Sequence, residues 1–174
     1  MSRIAIAIVV LGLLATACFA QTATQNVTIN VSEVNTIAAN GAASFAITAP
    51  SVPGGVPVIT PTQSASLAYT SILPSTGGTR KINAKITTDV PAGLQLGAVV
   101  SGVSGTGTVG TAATGGLLNT STSVDLVTGI GSCYTLAPTL TYSLGIIPTT
   151  GMALVKATAA PATAVVTYTM TAAQ

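Results

Sequence analysis

Residues Lys81 to Thr87 alternate without a break, with Ile82, Ala84 and Ile86 on one side and Lys81, Asn83, Lys85 and Thr87 on the other. A period of two belongs to a strand with one dry and one wet face, and a slip of one residue would turn the whole apolar set into water. The pattern recurs along the chain. It appears at Val27, Ile29 and Val31, at Leu67, Tyr69 and Ser71, and at Leu140, Tyr142 and Leu144. At the end, Ala164, Val166, Tyr168 and Met170 face away from Val165, Thr167, Thr169 and Thr171. No helical period lies between these stretches. About eight strands spaced by turn residues predict an all-β, antiparallel β-sandwich.

The punctuation between strands sharpens the expectation. After Val31 the apolar phase shifts at Val34 and returns at Ile37, predicting a bulge or bend in a long N-terminal segment. Asn40-Gly41 is a hairpin signal, with Phe45 and Ile47 on the second arm. Residues 50–61, PSVPGGVPVITP, carry too many prolines for a central strand and predict a surface connection or an edge. PSTGGT turns the chain before Arg80. Outward lysines at 81 and 85 suit an edge strand, where charge discourages unwanted pairing. A strand LQLGAVV is followed by SGVSGTGTVGTAATGG, which predicts a long loop or a weak edge. A short strand then holds Val124, Leu126 and Thr128, and GIGS leads into Cys133 and Tyr134.

The first residues have a different character. Arg3 precedes an unbroken apolar run from Ile4 to Leu14 and then small residues, the pattern of a secretory signal peptide over residues 1–20. The run is shorter than the roughly 20 apolar residues of a spanning helix. Residues 21–174 are then expected to form one β-sandwich domain with an extended N-terminal segment, 21–37. L-A-T-A-C also approximates a lipoprotein box, which would make Cys18 a lipidation site and the product an outer-surface lipoprotein. If Cys18 leaves with the signal, Cys133 is the one remaining thiol, either buried or free to form an intermolecular disulfide.

Chemistry is scarce. There is no histidine, and only three acidic residues, Glu33, Asp89 and Asp125, stand far apart. General acid–base work and metal ligation need groups that this chain lacks, so the expectation is a non-enzyme with no cofactor and no metal. Asp89, beside Val-Pro, fits a turn cap. Serines have no S-x-x-K partner, and the glycines of SGVSGTGTVG have no following helix to make a phosphate cradle. A formal charge of +2 argues against nucleic acid, which is held through several phosphate contacts. Arg80, Lys81 and Lys85 form the one basic cluster, a candidate surface contact for an anionic glycan. Asn26, Asn30 and Asn119 head N-x-S/T sequons, incidental in a chain whose leader reads as bacterial.

TRKINAKITTDVPAGLQL, then DLVTGIGSCYTLAPTLTYSLGI, then AVVTYTMTA resemble, in their order, bacterial exported β-sandwich proteins of uncharacterised or pilin-like type. The resemblance implies an immunoglobulin-like fold and a role at the cell surface or in an appendage. The chain lacks the disulfide pair of chaperone–usher pilins. The expected function is a structural subunit of a bacterial surface appendage or extracellular filament, assembling with copies of itself by strand donation. Val27, Ile29 and Val31 are the candidate donor contacts, continued by Val34 and Ile37; the alternative for this segment is pairing within its own domain, as the first strand. The alternative is a monomeric surface adhesin or glycan-binding module, with Tyr134 the best exposed stacking candidate and Tyr69 or Tyr142 as others.

Overall fold

The computed structural model describes residues 22–148, 151–158 and 160–173. The expected signal peptide, with Cys18, lies outside the described residues. The chain divides into two units, Met1–Val31 and Ser32–Gln174. In the first, residues 22–31 have no regular secondary structure and are exposed throughout. The half-buried strand expected at Asn26–Val31 is not formed. A strand needs a neighbour for its backbone N–H and C=O groups, and no strand among the described residues pairs with this segment.

The second unit is almost entirely antiparallel β structure: β1 (Val34–Asn40), β2 (Ile47–Thr48), β3 (Val58–Ile59), β4 (Thr62–Ile72), β5 (Arg80–Ile86), β6 (Leu94–Ser101), β7 (Gly105–Gly107), β8 (Thr111–Ala112), β9 (Gly116–Leu117), β10 (Val124–Ile130), β11 (Cys133–Thr135), β12 (Thr139–Ile146) and β13 (Val166–Ala172), with one helical turn, α1 (Gly151–Leu154). The expected all-β class is what is found. The first sheet is built on β4, with β1 along one edge and β12 and β11 in succession along the other. β12 continues to β6 and β9, and β11 to β7. The second sheet runs β13-β5-β10-β8, and β2 and β3 form a separate ribbon.

Alternation decides which side chains meet. Leu67, Tyr69 and Ser71 of β4, Ile82, Ala84 and Ile86 of β5, and Leu96, Ala98 and Val100 of β6 are all buried, and with Leu126, Ile130 and Leu140 they make one core between the two sheets. Each large aliphatic side chain removed from water here contributes roughly 1.5–3 kcal/mol. In β10 the adjacent Leu126 and Val127 are both buried, because a register shift against β5 falls between Asp125 and Val127. The gap between β11 and β12 is bridged by Thr135, whose hydroxyl accepts from the Tyr69 N–H at 2.9 Å and donates to the Tyr69 carbonyl at 3.1 Å.

Several connections differ from expectation. The segment after Asn40-Gly41 does not fold back on β1; Ile47 and Thr48 pair with Ile59 and Val58, within the proline-rich stretch. The partner of β1 is β4, in unbroken register from Val34 opposite Ile72 to Asn40 opposite Ser66, so no bulge falls within Val34–Asn40. β5 is not an edge strand but lies between β13 and β10. The lysines are outward because the inward positions are filled by Ile82, Ala84 and Ile86.

The Gly- and Thr-rich stretch, expected as a long loop or a weak edge, forms three short edge strands that change sheets. β7 pairs with β11, β8 with β10 in the opposite sheet, and β9 with β6 back in the first. This clasp closes the β6–β10 side. Its glycines are required by contact: at Gly107 (φ 85°) and Gly115 (φ 66°) an added Cβ would strike the Ser132 and Ala98 carbonyl oxygens, respectively.

Candidate functional site

The opposite side of the sandwich has no clasp. β1 is the border of the first sheet and β13 the border of the second, and among the described residues neither outer edge has a strand partner. The two borders are in contact. Their relative direction follows from two pairings. Ala172 lies opposite Arg80 in the β13–β5 ladder, and the Arg80 guanidinium donates to Glu33, just before β1, at 2.6 Å. At the other end, Ala39 and Gly41 share one cavity wall with Val166 and Tyr168. The borders therefore run antiparallel and side by side.

A cavity of about 930 Å³ opens at that second end. Phe45, Leu94, Leu96 and Leu144 are the large apolar residues of its lining, and residues 155–158 and 161–164, Lys156 included, line it as well. Tyr142 of β12 and Tyr168 of β13 also line it, their hydroxyls hydrogen-bonded to one another across the two sheets. Burial, and then the bond to Tyr142, pushes the Tyr168 hydroxyl well above the usual tyrosine range.

At the closed end of the same side, a polar chain links the sheets. Glu33 accepts from both Arg80 and Asn35, and Asn35 in turn accepts from the fully buried Ser71 hydroxyl at 3.2 Å. The Arg80 hydrogen bond, followed by that from Asn35, holds the Glu33 carboxyl below its ordinary value.

The expected donor residues separate into two groups. Val27, Ile29 and Val31 are exposed at 75, 81 and 69%. Val34 and Ile37 instead belong to β1, opposite Ile72 and Tyr69, and both are half-buried. Ile37 packs against the core, which its own sheet satisfies without another chain.

The basic cluster is not assembled as an anion site. Arg80 is paired with Glu33, and Lys81 with Asp125 at 3.2 Å; Lys85 is exposed. Tyr69, considered as a stacking platform, is a core residue whose hydroxyl donates to the Val109 carbonyl at 2.6 Å. Tyr134 is 52% exposed on β11, opposite Thr70 and Thr106. Cys133 is free and buried, and burial raises its thiol pKa. Asp89 accepts from the Val90 N–H at 2.9 Å. Among the described residues no group of acidic or cysteine side chains has the arrangement of a metal site, and no helix is long and apolar enough to cross a membrane.

The open side was missed by sequence reasoning, because which strands end up as borders depends on sheet order. The signal that pointed toward it was Ala164 to Met170, whose apolar face was legible while its unpaired edge was not. No known family, curated protein or solved structure matches this chain.

Proposed function

We propose that the protein is a structural subunit of a bacterial extracellular filament or surface appendage, built on an immunoglobulin-like sandwich and assembling by strand donation between copies. The observation that carries this reading is the exposed comb of Val27, Ile29 and Val31, at alternate positions of a segment with no regular structure. Large aliphatic side chains at alternate positions suit a strand lying on an apolar surface. Isolated exposed valines are ordinary, but three in strand period ask for a cover. The paucity of acid–base and metal-binding groups fits a structural role.

The test is light scattering after gel filtration on the exported chain, over a range of concentrations and with reductant. The expected result is mass that rises with concentration, and a monomer when Ile29 is replaced by Lys. Ile29 is exposed, so the substitution leaves the second unit folded by circular dichroism. A strict monomer at all concentrations overturns the reading.

A further inference from the structure

We infer that the acceptor for the comb is the open side of a second copy, with Asn26–Val31 lying along the free edge of β13 where the cavity opens a cleft beside the end of β1. This rests on the strand-donation reading above and adds the site. Five other strands leave a border or a short exposed end, but β7, β8 and β9 are two- or three-residue pieces already used to cross between sheets. β2 and β3 pair only with each other. β1 and β13 are the long unpaired borders, seven residues each.

The match has three parts. A strand laid along the free edge of β13 meets its unpaired backbone N–H and C=O groups, which supply main-chain hydrogen bonds. The comb spans about 13 Å from Val27 to Val31, within the length of either border. Its apolar teeth face the space beneath, where Phe45, Leu94, Leu96 and Leu144 line a cavity that the chain's own side chains leave unfilled. Asn26, Thr28 and Asn30 then face water, as the polar positions of a surface strand do.

The occupant is a second copy rather than the same chain. Only Ser32 and Glu33 separate Val31 from Val34, and a two-residue reversal calls for Asn-Gly or a leading Gly. Glu33 is also engaged by Arg80. A head-to-tail contact of this kind does not close on itself and propagates.

The test uses the full exported chain with a benzophenone amino acid in place of Thr28, on the wet side of the comb, in an equal mixture of ¹⁴N- and ¹⁵N-labelled protein. After illumination, mass spectrometry locates the adducts. The expected result is mixed-label adducts in residues 34–40 and 164–172, with a yield that falls at least about tenfold when Ile29→Lys is added, the scale for losing a buried interface anchor. Assembly with adducts concentrated on β7, β8 or β9 overturns the cleft and leaves strand donation standing. Adducts confined to single-label chains overturn the second copy as occupant. A chain that does not assemble under any concentration overturns both.

Discussion

The hydroxyls of Tyr142 and Tyr168 are hydrogen-bonded to one another from opposite sheets, at the edge of the cavity. The bond ties β12 to β13 where no backbone ladder joins them.

Replacing Tyr168 by Phe removes one hydroxyl and leaves the other without its partner, costing about 1–2 kcal/mol. The melting temperature is expected to fall by roughly 2–8 °C. A double-mutant cycle with Tyr142→Phe gives a coupling energy of at least about 0.5 kcal/mol if the bond acts as described. Strict additivity counts against it.

Alkali tests the same residue. Burial raises the hydroxyl pKa values of Tyr168 and Tyr69 in the folded protein, so their contribution to stability is complete below about pH 10, where the unfolded chain's tyrosines are still neutral. It is lost as pH rises beyond that, because the unfolded state releases its protons first. Urea midpoints are expected to hold between pH 7 and 9 and to decline above about 10. The decline is shallower in Tyr168→Phe; equal slopes would contradict the assignment.

Acid acts through Glu33. Its pKa is lowered in the folded state, so the Arg80 pair contributes above the ordinary carboxylate range and is lost as pH falls through the folded value. Glu33→Gln should flatten the acid limb of the stability profile below about pH 4.5, and the difference should shrink in high salt. An acid limb unchanged by the substitution would show that other groups set it.

The clasp is tested at Gly115. An Ala there meets the Ala98 carbonyl and must hold a φ of 66°, so a loss of at least about 2 kcal/mol is expected in urea titrations. Gly78→Ala, where nothing lies within 4 Å, is the control and should stay within about 0.5 kcal/mol of the parent.

Cys133 is tested by thiol reagents. Its burial and raised pKa leave little thiolate at neutral pH, so modification in native protein should run at least about 100-fold slower than in urea. Equal rates would place the thiol at the surface, within reach of another copy's cysteine.

Strand identity was legible wherever alternation was strict. Ile82, Ala84 and Ile86, and Leu67, Tyr69 and Ser71, were read as single faces from spacing alone, and all six are buried. Partner choice was not legible. Asn40-Gly41 has the local chemistry of a hairpin, yet β1 pairs with residues 66–72 because the long register with β4 places Ile37 against the core. The stretch SGVSGTGTVGTAATGG reads as a long loop or a weak edge because it carries few side chains to pack. Its pairing is made by backbone, and small residues are what let the backbones approach. Val27, Ile29 and Val31 read as a strand for the same reason as the others, but spacing does not say which chain supplies the neighbour.

The clasp also bears on the order of folding events. β7, β8 and β9 find their partners in β11, β10 and β6, and so in both sheets in turn. These pairings join residues nearer in sequence than those of β5 with β13 or of β4 with β12, so their loop-closure cost is the smaller. The clasp therefore need not wait for the chain's last strand, and the β6–β10 flank is shielded from proteases while β13 is still unpaired.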